Sequence, residues 1–392
     1  MAVDTIRPLE VFVGDSVVIP LLPFFTDPDG DTLSYSAESS DTEAVTVSAS
    51  RGAALISARS PGSASISVTA SDPGGLSASQ GFAVTVPNRP PEVRDSVMRL
   101  ASAPDASFTI DLDAHFGDPD GEVLAFAAGS SDSTVATVSL AGSVASVSAN
   151  ALGRAILSFT AHDPSGSSVT QETAVKVSDN LDRDALVALY EQTGGPNWAN
   201  SDNWLTDAPL GDWHGVEAND SGRVVELDLI RNRLSGPVPW ELSGLEHLEV
   251  LWLAFNNLSG PLPREFGRLA RIRIIGMDGN ELSGPIPAEI GALSNLENLA
   301  LAGNQLSGSL PPELGLLASL ERLWLAANSL TGSIPAELGR LARMETLELA
   351  VNELSGPIPP QLGQLAKLKT VSLRRNALAG PIPAELGTHV PV

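Results

Sequence analysis

Cysteine is missing from this 392-residue chain, which excludes disulfides and thiolate-held metals. Basic residues are scarce as well. Lys and Arg number 23 against 47 Asp and Glu, for a net charge of −24. Such a surface repels the phosphates of nucleic acid and of anionic lipid, so neither is an expected partner. No run of about 18 apolar residues occurs, so no membrane insertion by a helix is expected. Met1-Ala-Val-Asp-Thr lacks the basic and apolar segments of a signal peptide. The five histidines are scattered. No HExxH, GxSxG or phosphate-binding glycine loop accompanies them. The abundant acids sit mostly on regular repeats, where solvation accounts for them. The chain therefore reads as a non-enzyme.

What the second half does have is period. Asn232, Asn256, Asn280, Asn304, Asn328, Asn352 and Asn376 are spaced 24 residues apart. Leu248, Leu251 and Leu253 precede Asn256, and Gly260 and Pro263 follow it; the other copies repeat these offsets. A period this strict predicts a solenoid, in which each repeat buries its apolar face against its neighbours. Within a repeat, Leu251 and Leu253 alternate with outward residues, as in a short strand with one buried face. Asn256 closes the strand, where its side chain can bond turn backbone that no ladder satisfies. Gly260 and Pro263 break any helix, and Glu265–Leu269 makes a brief outer turn.

These residues match the leucine-rich repeat. Asn280-Glu-Leu-Ser-Gly-Pro-Ile-Pro-Ala-Glu-Ile-Gly-Ala-Leu resembles the plant-type pattern LxxLxLxxNxLSGPIPxxLGxLxxL. Ahead of it, Asp182–Tyr190 reads as a short amphipathic helix with Asp182 at its start. Trp198, Trp204 and Trp213-His-Gly-Val216 follow, as in that family's N-terminal cap, and these tryptophans are expected in its core. Glu217 and Ala218 stand where the plant cap carries a cysteine, so closure must come from packing.

The first half is richer in Ser, Ala, Val and Thr, with alternating runs such as Ser65–Ala70 that predict β-sandwiches. A period of 91 residues runs through it. Phe25-Thr-Asp-Pro-Asp-Gly-Asp31 recurs as Phe116-Gly-Asp-Pro-Asp-Gly-Glu122, and Ala70-Ser-Asp72-Pro as Ala161-His-Asp163-Pro. These units resemble bacterial cadherin-like, immunoglobulin-like repeats, which implies an extracellular stalk or adhesion module. The fold expected is two Ig/cadherin-like all-β sandwiches and an α/β leucine-rich-repeat solenoid of seven repeats. The divisions expected are 1–88, 89–180, a cap at 181–222 and the solenoid at 223–392. Little slack separates Val177 from the cap, so sandwich and solenoid are expected to dock. Gly387-Thr-His-Val-Pro-Val392 ends inside an outer turn with no recognisable capping segment.

Two candidate sites emerge. Asp27, Asp29, Asp31 and Asp72 form one oxygen-rich set, and Asp118, Asp120, Glu122 and Asp163 form another. Hard oxygens around a glycine turn suit calcium, while Asp-Pro-Asp-Gly is also an ordinary turn. Both readings stand at this stage; few acids lie in the linker, and Arg89 opposes a cation. The second candidate is the concave strand face, where columns of mostly small residues carry Trp252, Phe255 and Trp324. Exposed aromatics of this kind anchor protein or glycan ligands. The leading reading is thus an extracellular or cell-surface protein that recognises a protein or glycan through that face. The alternative is a structural subunit that binds itself head to tail in a fibre or surface layer. An accessory module of a polysaccharide-acting enzyme is a third and remoter class.

Overall fold

The structure, a computed structural model, describes residues 1–384 and 386; Gly387–Val392, read above as an uncapped outer turn, lie outside the described residues. The first sandwich stacks the strands Leu9–Glu10, Ser77–Val86, Gly62–Ser71 and Ser34–Ser39 against Ser16–Pro20, Ala53–Ala58 and Val45–Ser50. Alternation decides its inside: Ala64, Ile66, Val68 and Ala70 are buried, while Ser63, Ser65 and Ser67 face out. Ile56, Phe25, Phe82 and Val84 complete that core. Each such side chain contributes roughly 1.5–3 kcal/mol when fully buried. The second sandwich repeats the plan 91 residues on: Ser16–Pro20 becomes Ser107–Asp111, and Gly62–Ser71 becomes Gly153–His162. Leu112, Phe116, Leu157 and Phe159 fill its core.

The cap helix spans Leu181–Gln192. Its N-cap is Asn180, whose side chain accepts from Arg183 N, and not Asp182 as its early position suggested. Asp182 is buried inside the first turn, where Arg223 and the backbone N–H of Val224 bind it. A buried carboxylate needs such partners, and this one ties the helix to the first inner strand. Trp198, Trp204 and Trp213 are buried as expected, and each indole N–H donates to a backbone carbonyl.

Beyond the cap runs a long inner sheet. Val224–Asp228, Val250–Trp252, Ile274–Gly276, Asn298–Ala300, Arg322–Trp324, Thr346–Glu348 and Thr370–Ser372 pair in parallel and in register. A second, outer ladder pairs Asn257–Gly260 with Glu281–Gly284 and their equivalents. The Gly-Pro punctuation hid these strands, because their bonds lie between repeats and leave no alternation in sequence. Short 3₁₀ turns such as Arg264–Arg268 return the chain to the inner sheet.

The asparagines stitch these turns together. Asn304 Oδ1 accepts Leu282 N of the preceding repeat at 3.0 Å. Its Nδ2 donates to Met277 O and Leu301 O, also at 3.0 Å. Asn256, Asn280, Asn328, Asn352 and Asn376 repeat this pattern. Asn232 begins the series by bonding Asn200 of the cap. The turn before each Asn requires a left-handed residue. Gly279 fills it freely, whereas Phe255 is held there at φ 57°.

Arginines occupy both junctions between bodies, and Arg89 reaches the first sandwich at Val13 O and the Phe12 ring. Arg264 makes a two-pronged contact with Asp95 at 2.6 and 2.7 Å and also pairs with Glu289. Arg268 donates to Arg99 O, and Lys176 pairs with Asp184 at 3.0 Å. The second sandwich is thus docked on the solenoid. Between the sandwiches, Arg89 binds Asp120 through its backbone N–H and its guanidinium and donates to Pro119 O.

Replacing Asn304 by Ala orphans Leu282 N and two carbonyls, each worth about 1–3 kcal/mol when buried without a partner. Chemical denaturation should show a loss of at least about 2 kcal/mol for Asn304→Ala and little change for the exposed neighbour Gln305→Ala. Equal, small losses for both would contradict the stitched-turn account.

Candidate functional site

The inner sheet sets outward side chains in columns about 4.8 Å apart. Trp252, Gly276, Ala300 and Trp324 are register partners in one column. The two tryptophans therefore stand about 14 Å apart over a floor of Gly and Ala. Trp252 does not project freely. A methyl group added at Gly276 would fall 2.1 Å from its ring, so the indole lies across that glycine. Phe255 treats Gly279 in the same way, at 2.8 Å. Trp252 and Trp324 are half-buried, and Phe255 remains 53% exposed. The Arg231 guanidinium stacks over the Phe255 ring at 4.6 Å. All three aromatics thus share one face, and two of them, Trp252 and Phe255, are packed down on glycines of the next repeat.

Asp278, which the column pattern contained but sequence reasoning did not single out, stands between Gly276 and Gly279. One carboxylate oxygen accepts Ala302 N at 2.9 Å. Burial pushes its carboxyl above the usual range, against that hydrogen bond.

The two acidic sets part company. Asp27 Oδ1 accepts the backbone N–H groups of Asp29 and Asp31, Asp72 accepts Leu76 N, and Asp29 and Asp31 are exposed. Asp118, Glu122 and Asp163 each place a carboxylate oxygen within 4.8 Å of the others. Among the described residues they are the one carboxylate set so gathered. Asp120 turns away to Arg89. Asn88, from the linker, donates to Asp163 Oδ2 at 2.8 Å. Asp118 Oδ2, Glu122 Oε2 and Asn88 Oδ1 are buried without a hydrogen-bond partner. Orphaned oxygens beside like charges are costly, and the donor set is that of a hard divalent cation. The residues present fit calcium at the second sandwich. Asp118 and Asp163 accept the same turn N–H groups as Asp27 and Asp72, but at the first sandwich the carboxylates are not so gathered.

Residues 232–380 match the leucine-rich repeat region family, and residues 1–85 match the bacterial Ig domain family. Comparison with curated proteins finds no match. Among solved structures, PEPR1–AtPEP1 is 31% identical over 53% of this chain, with a TM-score of 0.50. The chain spans 30% of that protein's length. The leucine-rich-repeat ectodomain of GASSHO1/SCHENGEN3 from Arabidopsis thaliana, in complex with CASPARIAN STRIP INTEGRITY FACTOR 2, is 30% identical over 52% of this chain and 31% of that one, TM-score 0.40. Pollen Receptor Kinase 3 is 30% identical over 50% of this chain and 95% of that one, TM-score 0.44. The chain belongs to the leucine-rich-repeat proteins and carries a bacterial Ig domain at its N-terminus. No helix of the described residues is long and apolar enough to cross a membrane.

The acid set makes a prediction of its own. Burial, and then repulsion from Asp118, Asp163 and Asp120, raises the Glu122 carboxyl above its ordinary value. A raised carboxyl favours the fold while protonated and loses that contribution as pH rises through its folded pKa. With chelator present, Glu122→Gln should therefore gain stability over the parent between about pH 4 and pH 7. A melting-temperature difference that stays constant across that range would contradict repulsion at the set.

Proposed function

We propose that this chain is a non-catalytic recognition protein of the cell surface or extracellular space, and that it binds a protein ligand through the open face of the inner sheet. The observation that carries this is Trp252. A large indole laid across Gly276, in a column that continues with Ala300, is fixed in place without filling the leucine core. Rigid, half-exposed aromatics of this kind form the anchors of protein interfaces. The family match over residues 232–380 supports the same reading. In this reading, residues 1–88 and 89–180 form a stalk, 181–222 the cap and 223–392 the recognition head.

Calcium belongs to the proposal at the stalk. Asp118, Glu122, Asp163 and the Asn88 carboxamide would hold it, so that the ion offsets their mutual repulsion and fixes the linker. Millimolar Ca²⁺ should then raise the melting temperature and chelator should reverse this, by mass action. Glu122→Gln should abolish the response, and Asp29→Asn should leave it intact. A parent protein indifferent to both reagents would remove calcium from the account.

For the recognition face, binders selected on the parent from a random-peptide display library should lose about 2 kcal/mol or more on Trp252→Ala with Trp324→Ala. Circular dichroism should report an unchanged fold. Retention of binding by the folded double variant would sink the reading. A glycan ligand or self-association would appear instead as retention on a glycan array or as higher mass in light scattering, each lost in the same variant.

A further inference from the structure

We infer that the open face carries a cation-recognition site, with Asp278 as its counter-charge and Trp252 as its aromatic wall, which takes an arginine or lysine side chain of a protein partner. This rests on the proposal that the open face is the working surface, and it names the chemistry that face selects.

Four observations converge. Asp278 is the one acid in its column: Ala254 precedes it, and Ala302, Ala326 and Ala350 follow. The glycines on either side of it, Gly276 and Gly279, are each roofed by an aromatic ring of the preceding repeat. Asp278 thus lies on the segment between the two glycines that these rings cover, and its carboxylate reaches the following repeat at Ala302 N. Among the described residues no cation pairs with it, and the hydrogen bond it accepts comes from Ala302 N. Finally, the Phe255 ring is taken by the chain's own Arg231 guanidinium at 4.6 Å, which shows cation stacking on this face and leaves Trp252 as the ring open to a ligand.

The energetics favour a cation over the other occupants. A partly buried carboxylate with backbone partners alone has no counter-charge, and an incoming guanidinium or ammonium supplies it. The Trp252 ring adds attraction for the same group, more strongly once water is displaced. An acidic ligand would meet Asp278 as a like charge. A sugar could stack on Trp252, but the Gly and Ala floor offers it few side-chain hydrogen bonds. Burial pushes the Asp278 carboxyl upward, and a bound cation would pull it back down.

The test uses the full chain and the peptides selected on it. Those peptides should be enriched in Arg or Lys. Asp278→Asn keeps the side chain's shape and should weaken them at least about tenfold. Glu353→Gln removes an exposed acid elsewhere on the solenoid and should change affinity less than about twofold, since rim charges contribute little. Changing the peptide's basic residue to Gln should abolish the difference between the parent and Asp278→Asn. Equal losses in Asp278→Asn and Glu353→Gln would reduce the effect to bulk attraction and overturn the inference. So would selected peptides without basic enrichment. Peptides that require Trp252 and Trp324 yet ignore Asp278 would overturn the cation site while leaving the recognition reading intact. Failure to select any peptide would end both.

Discussion

Every outward residue of the solenoid takes its place from the bonds that the asparagine side chains make to turn backbone. Each repeat must leave its strand through a turn whose N–H and C=O groups find no ladder partner. Asn304 satisfies Leu282 N in the repeat before and two carbonyls besides. Because every turn is bonded to the next, repeat stacks on repeat without slippage. The parallel register of Trp252, Gly276, Ala300 and Trp324 follows from that constraint. So do the left-handed positions just before each Asn, where Phe255 is held in a conformation that costs a non-glycine residue roughly 1–2 kcal/mol.

That register turns single substitutions into surface features. Glycine at 276 and 279 admits the rings of Trp252 and Phe255, and any larger residue would lift them. The aromatics are therefore presented by backbone, at fixed spacing, with little side-chain freedom left to lose on binding. A rigid scaffold with few mobile anchors suits recognition by contact.

Much of this was legible in the sequence, and for physical reasons. The period of 24 recorded the ladder, because each Asn performs the same local task. The period of 91 recorded the sandwiches, because Gly62–Ser71 and Gly153–His162 bury alternate residues in the same way. What the sequence hid is long-range or relational. The pairing of Arg264 with Asp95 joins residues 169 apart, and nothing local in either announces it. Arg89 looked hostile to a cation site but is committed to Asp120. Asp118 and Asp163 make the same turn hydrogen bonds as Asp27 and Asp72, yet among the described residues only the second set gathers its carboxylates, with Glu122. Asn88 reaches Asp163 from outside the motif, a contact that nothing in the strings announces. Asp182 misled as a cap because its partner, Arg223, is 41 residues away.

Amide hydrogen exchange tests the stitched-turn account most directly. The N–H groups of Leu258, Leu282, Leu306, Leu330 and Leu354 each donate to an asparagine Oδ1. They should exchange as slowly as the inner-strand amides and open with them as one cooperative unit. Exchange of these five amides at the rate of free turn amides, while the inner strands stay protected, would contradict it.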